Sequence, residues 1–561
     1  MRTTAFSVLA LGLGVFGSAV VACGTSSDDC AATATCGPTG GSSGSGNAGK
    51  SGGGHEAGDG GGGSSSGGAQ NVSGTSGAGT SGSSGAMGGG GEGGGPTGCT
   101  GDVADDAACW TTDELGVFVS SDNGKDDTGD GTRANPFASI THAIASASGK
   151  NIYVCAGATQ YNEQILVNAT TDGLRIYGGF DCDDWSYKTD RNSSVVSGEP
   201  IALRIQGLKK GIYIENVWFQ AANGNDKSVA GASSYGAYVT GSKGVVFKRV
   251  TLMSGEGAKG ADQGTAAKGT NGATAGTAPK GSDGICMAPP QVPAGGSWGN
   301  IDFCSLGGDG GAGKKGIATG ASGIAGTPNT HVEAGDIENG GPGATGAAAG
   351  ENGKDGKVGL AGNPGGAAAA SGLFLIGGFT PAGGNAGADG WPGQGGGGGG
   401  ASKGTDTCYG ASGGAGGMGG CGGHPGVGGG GGGASVALIA WGSEVSLTEC
   451  TLTSAAGGAG GKGGDGGAGG TGAAGGAAGD PDDQNKVFAG GLGGRGGNGG
   501  PGGSGSGGSG GPSYAIAWNG TQPTRDAATM LMAGDGGVKG AGGKGAPAGS
   551  AGASLAEFPI P

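Results

Sequence analysis

The chain has 561 residues, of which 155 are Gly, where a share of about 7% is usual. With 21 Pro it is no ordinary collagen, and 5% aromatic with 13% charged residues exclude one compact globule with a continuous core. The formal charge of −15 argues against nucleic acid as a partner, because that affinity rests on Lys and Arg neutralising phosphates.

Residues 1–22 read as a secretion signal. Met1-Arg2 supplies a minimal basic end, and residues 5–21 form a mostly apolar run that is short for a membrane span of about 20 residues. The run closes on Val20-Val21-Ala22-Cys23, which resembles a bacterial lipobox. That resemblance implies lipidation of the Cys23 thiol, and Gly24 in place of Asp favours the outer membrane. The expected location is therefore the cell surface, with the membrane as a partner through a lipid anchor.

Residues 23–98 are a Gly/Ser tether that cannot bury enough apolar surface to fold. Residues 99–254 have the composition of a conventional domain. Beyond them a Gly-rich insert at 255–432, a coil at 433–454, a Gly-rich hairpin at 455–511, a coil at 512–532 and a Gly-rich C-terminus at 533–561 alternate. The cysteines other than Cys23 suit an oxidising compartment. Pairing sequence neighbours gives Cys30–Cys36, Cys99–Cys109, Cys155–Cys182, Cys286–Cys304 and Cys408–Cys421, although spacing does not fix connectivity. Cys450 is left over and reads as a small buried hydrophobe. With four scattered His and no CxxC, no zinc site is expected.

Within 116–254 the order is a strand at 116–122, Gly131-Thr-Arg-Ala-Asn-Pro-Phe137, a helical stripe of Ile140, Ala143 and Ile144, a strand segment at 151–157 ending in Gly, and Tyr161-Asn-Glu163. Pro136 bars helix before it, so the helix begins after the turn. This pattern resembles the N-terminal module of pectin-lyase-like right-handed parallel β-helices, and it implies a mostly β fold of stacked coils with the short helix as a cap. Alternating pairs such as Leu203/Ile205, Ile212/Ile214 and Val245/Phe247 read independently as short strands. An internal repeat extends the stack, since residues 245–254 align without gaps on 445–454, with a weaker third copy at 514–532.

Each coil runs into glycine at the same point, after Ser254, Ser454 and Met532. Gly then recurs every third residue over 457–475, 490–511 and 353–365, the period of an extended helix with three residues per turn. Two readings stand open: a flexible polar loop, or polyglycine-II-like legs packed side by side. The second expects 457–479 and 490–511 to form a hairpin reversing in 480–489. The Gly-rich blocks resemble PGRS-type repeat proteins and the polyglycine sandwiches of some phage adhesins.

No catalytic constellation emerges. Asp181-Cys-Asp-Asp184 beside Trp185 reads as a solvated turn with a disulfide and a core Trp. The loop from Asp122 to Asp130 has Phe137 where an EF-hand from Asp126 needs Glu, which leaves at most a looser Ca²⁺ turn. His55, His142, His331 and His424 follow no triad order. No cofactor is expected. The reading is a non-enzymatic surface lipoprotein with a structural, adhesive or matrix role, whose partners are polysaccharide or other surface proteins. A polysaccharide lyase or hydrolase on the same scaffold, and a non-specific spacer, are the alternatives. Labelling cells with an alkyne fatty acid should mark the wild type and leave Cys23→Ser unmarked; label persisting in the variant removes the anchor.

Overall fold

In a computed structural model, Cys99 and residues 103–561 are described, apart from 287–291, 316–318, 336, 347, 371, 483 and 485. The signal segment, Cys23, Cys30, Cys36 and His55 therefore lie outside the described residues. Among the described residues no helix is long and apolar enough to cross a membrane.

The segments expected as short strands stack into three parallel sheets. Sheet 1 has six strands: Ile165–Asn168, Ile201–Gln206, Ser234–Thr240, Ser435–Trp441, Ser513–Asn519 and Ser554–Pro559. Sheet 2 has seven, running from Gly116–Val119 through Asn151–Cys155, Arg175–Phe180, Ile212–Glu215, Val245–Lys248 and Val445–Thr448 to Thr524–Arg525. Sheet 3 has five: Ser193–Val196, Val217–Gln220, Thr251–Met253, Thr451–Thr453 and Met530–Met532. The chain visits sheets 1, 2 and 3 in turn and then returns to sheet 1, which makes the fold a parallel β-helix. Strand Ser554–Pro559, inside what composition marks only as a Gly-rich C-terminus, adds a sixth rung to sheet 1.

Period-two alternation points one side of each strand inward, so like residues stack along the axis. On sheet 2 the inner column runs Val117, Ile152, Ile176, Ile214, Phe247, Leu447. On sheet 3 it runs Val195, Phe219, Leu252, Leu452, Leu531. Cys450 is buried in this core with a free thiol that burial pushes up to about 11. Single left-handed residues turn sheet 2 into sheet 3 at Asn216, Arg249 and Glu449 (φ 54°, 51° and 54°). At this corner Glu215 is fully buried, and it is held by Arg249 and by the phenols of Tyr187 (2.9 Å) and Tyr213 (2.7 Å).

The inner columns end in charge rather than in a covering helix. Leu447 is followed by Arg525, and Ile516 by Glu557, and these two pair at 2.9 Å across the last coil. Inward-pointing charge of this kind blunts a sheet edge against further pairing. The opposite end is closed by helix Ile140–Ser146, whose Ile140, Ala143 and Ile144 are buried.

The glycine excursions leave and re-enter at the corner between sheets 3 and 1, where a column of serines fastens them. Ser234, Ser435, Ser513 and Ser554 stand in register on sheet 1, and their hydroxyls donate to the carbonyls of Ala222, Gly255, Ala455 and Gly534. Within the excursions, backbone pairs with backbone at every third residue. Gly490, Gly493, Gly496 and Gly499 donate to Gly479, Gly476, Ala473 and Gly470 at 2.8–3.0 Å, and the series continues to Gly511 on Gly458. Leg 384–402 donates likewise to 411–429, leg 414–432 to 491–509, and leg 491–509 back to 382–400. Legs 353–365 and 260–272 flank the bundle, donating in parallel register to 492–504 and 459–471. One short antiparallel ribbon, Gly372–Leu375 with Gly378–Pro381, interrupts the pattern.

Two disulfides depart from neighbour pairing. Cys99–Cys109 and Cys155–Cys182 are bridged as expected (Cα separations 5.7 and 5.0 Å), but in place of Cys286–Cys304 and Cys408–Cys421 the bridges are Cys286–Cys408 and Cys304–Cys421. The legs fold back on one another, so thiols that are 122 and 117 residues apart in sequence become neighbours in space.

Glycine where two legs touch is a steric requirement. A Cβ at Gly466 would sit 1.9 Å from the carbonyl oxygen of Gly502, and one at Gly499 would sit 2.0 Å from that of Cys421, whereas Ala468 is exposed. Gly466→Val and Gly499→Val should each lose about 1–3 kcal/mol and open 457–511 to protease. Ala468→Val should stay within about 0.5 kcal/mol of the wild type. Equal protease sensitivity of all three variants and the wild type, with fast amide exchange across the legs, would mean the bundle does not hold.

Candidate functional site

The outer face of sheet 1 is apolar. Tyr235, Tyr238, Val436, Ile439, Tyr514 and Phe558 cover it, with Tyr514 stacked on Phe558 at 4.5 Å. The ribbon 372–381 lies over this face. Phe374 and Phe379 pack against it, Tyr238 Oη donates to Ile376 O (2.8 Å), and Phe379 N–H donates to Tyr235 Oη (2.8 Å). Burial raises all three phenols, Tyr238 and Tyr514 to about 12. No carboxylate column stands on this face among the described residues.

The motif that carries the family resemblance is a capping device. Asp126 accepts from Ala138 N (2.8 Å), Ser139 N (3.0 Å) and Ser139 Oγ (2.7 Å), while Glu163 accepts from Ile140 N and Thr141 N (both 2.8 Å). Ser139 caps the helix by accepting from His142 N. Tyr161 Oη donates toward Val119 O and Cys155 O, tying the next coil to the first. Two further acids of the 122–130 loop are committed in the same way: Asp122 takes Ala158 N and Thr159 N, and Asp130 takes Thr132 N. These carboxylates hold backbone N–H groups rather than converging on a cation position. For Asp126, burial would raise the pKa, but the Ser139 hydroxyl and the N–H groups of Ser139 and Ala138 outweigh it and lower it.

The Asp181–Asp184 turn sits beside a cleft of about 530 Å³ lined in part by Asp113, Arg133, Asp183, Asp184 and Trp185. Asp181 pairs with Arg191 at 2.7 Å, Asp184 accepts from Ser186 N, and Cys182 is bridged to Cys155. Trp185 (φ 60°) is buried edge-on to Phe118 at 4.7 Å. Arg133 donates to the Thr111 carbonyl and lies over Phe118. The turn is thus pinned by its own contacts, with Asp183 and Asp184 on the cleft wall.

Cys286, Cys408 and Asp482 bring their ligand atoms within 4.8 Å of one another, but the two sulfurs are bonded to each other, and Asp482 accepts from Gln484 N and Val487 N. That donor set has no free thiolate to offer a metal. The described histidines are dispersed: His142 is against Phe137, His331 is stacked on Trp391, and His424 is 3.7 Å from Asp389. Sequence reasoning left both the Trp391 stack and the apolar plug unread. Residues 372–381 are the one strongly apolar stretch of the insert, and that was the available signal for the plug.

No family model matches the chain, and no curated protein matches it. Two solved structures are similar in part. One is a mutant pectin methylesterase in complex with hexasaccharide IV (15% identity, 27% of this chain, 47% of that chain, TM-score 0.18). The other is the pectin methylesterase from Aspergillus niger in penultimately deglycosylated form (15% identity, 27% and 52%, TM-score 0.17). The present chain thus spans about half the length of each.

Asp126→Ala should cost about 0.5–2 kcal/mol through loss of the cap. Because the folded-state pKa is depressed, the carboxylate's contribution is present above its unfolded value near 3.9 and is lost as pH falls through the folded value. Melting followed from pH 7 to pH 2 should therefore show the variant and the wild type converging at the acid end. Neither added Ca²⁺ nor chelator should move the wild-type midpoint; a rise with Ca²⁺ would make the loop a cation site.

Proposed function

We propose that this chain is an exported surface lipoprotein, anchored through Cys23 to the outer membrane, whose folded part serves a structural, adhesive or matrix role. The observation that carries the reading is where the sequence places its buried groups. The long apolar face of sheet 1 is plugged by residues 372–381, and the excursions bond glycine backbone to glycine backbone across their interior. Such a build gives a stiff, extended surface bearing exposed side chains such as Lys462, Ala468 and Thr471. The charge of −15 favours neutral or basic partners over nucleic acid.

A carbohydrate-active enzyme on the same scaffold is the second reading. Its local support is the cleft with Asp183, Asp184 and Arg133 on its wall. Incubating the purified full chain with a polysaccharide panel, with retention and product analysis on the same samples, separates the readings. Retention without released methanol, oligosaccharide or unsaturated ends is expected. Product release that is lost in Asp184→Asn would overturn the structural reading in favour of the enzyme.

A further inference from the structure

An exposed aromatic pair, stacked face to face, stands on the glycine bundle among the described residues. His331 and Trp391 stack with ring centroids 3.8 Å apart and planes 10° from parallel. Both are exposed, Trp391 at 44% of its surface, and Leu360 beside them at 42%. An aromatic pair usually gains its stabilisation by burial, so a parallel pair left open to solvent is unusual.

The backbone beneath the pair is fixed. Leu360 N–H donates to His331 O and Trp391 N–H to Leu360 O, both at 2.9 Å, and Gly500 N–H donates to Trp391 O at 2.8 Å. The three side chains therefore rise from one hydrogen-bonded rung crossing several legs. Val332 is bridged to Gly359, and Glu333 N–H donates to Val358 O. His331 adopts φ 58°, a left-handed conformation that a non-Gly residue takes only where its surroundings impose it. Exposed polar groups stand close by in the chain: Asp389 lies two residues before Trp391 and faces His424 at 3.7 Å.

We propose that the His331–Trp391 stack is a carbohydrate-binding platform in which the face of Trp391 turned away from His331 takes the apolar ring face of an equatorially substituted hexopyranose within a polysaccharide chain. The π face carries negative charge density and attracts the partly positive C–H groups of such a ring. A flat surface buries only one side of its ligand, which suits a polymer passing across it better than a small molecule that needs a pocket. Fixing both rings on hydrogen-bonded backbone before binding lowers the entropy lost on contact. This site rests on the adhesive reading above and names its ligand class.

The test is affinity electrophoresis of the purified full chain in gels cast with hydroxyethyl cellulose, laminarin, glucomannan, lichenan or glycol chitin. The wild type should be retarded by at least one polymer. Trp391→Ala should weaken that retardation at least tenfold, His331→Ala less, and Trp391→Phe should keep part of it. Circular dichroism and melting midpoints should match across the set, because a stack that only pins the 331 loop would move melting and leave binding alone. Retardation of Trp391→Ala equal to that of the wild type overturns the platform while leaving the adhesive reading intact. A wild type retarded by none of the five polymers also overturns the platform, and binding of that same sample to isolated cell-surface matrix then decides the adhesive reading separately.

Discussion

The structure depends on how closely two backbones can approach when no Cβ stands between them. In the bundle a carbonyl oxygen lies about where a Cβ would be, at 1.9 Å for Gly469 on Gly499 and for Gly472 on Gly496. That contact lets each leg donate to one neighbour and accept from another, as the closed set of legs 384–402, 411–432 and 490–511 does. Energetically the arrangement is narrow. Ordering a residue costs about 1–2 kcal/mol, with Gly the worst case, while a net hydrogen bond returns about 0.5–1.5 kcal/mol. A single leg in water would therefore lose, and only legs bonded on several sides approach balance.

The β-helix supplies what the legs cannot. Its coils fix where each excursion starts and stops, and the serine column Ser234, Ser435, Ser513 and Ser554 binds the carbonyls at those points. The disulfides Cys286–Cys408 and Cys304–Cys421 add links between parts of the insert that are far apart in sequence. The frame is closed at both ends by different means: a capped helix held by Asp126 and Glu163 at one, and the Arg525–Glu557 pair in the core columns at the other. Each device limits further strand pairing, which leaves lateral surfaces for contact with partners.

Those surfaces differ in kind. The outer face of sheet 1 is closed by Phe374 and Phe379, and the outer face of sheet 2 near its start is closed by Trp110 and Trp185. The acidic turn at 181–184 is tied down by Arg191 and Cys155, leaving Asp183 and Asp184 on a shallow wall. The bundle exterior is the part where side chains are both regularly spaced and rigidly mounted, and Trp391 with His331 stands there.

By itself the sequence determined the strands, the cap and the repeat, because these are local. Alternation as in Ile212/Ile214, the helical stripe at Ile140, Ala143 and Ile144, and the alignment of 245–254 on 445–454 are all read within a few residues of each residue concerned. The phase of three in the glycine runs and the near-equal lengths of 457–479 and 490–511 were legible for the same reason. Partner choice was not. Glycine is the same residue in every leg, so nothing local distinguishes Gly490 bonding to Gly479 from Gly490 bonding elsewhere, and Cys286 is nearer in sequence to Cys304 than to its partner Cys408. The plug over sheet 1 and the His331–Trp391 stack likewise join residues more than fifty positions apart. Only the tertiary structure decides such pairings, because they are set by which backbones the frame brings together and not by any property of the residues themselves.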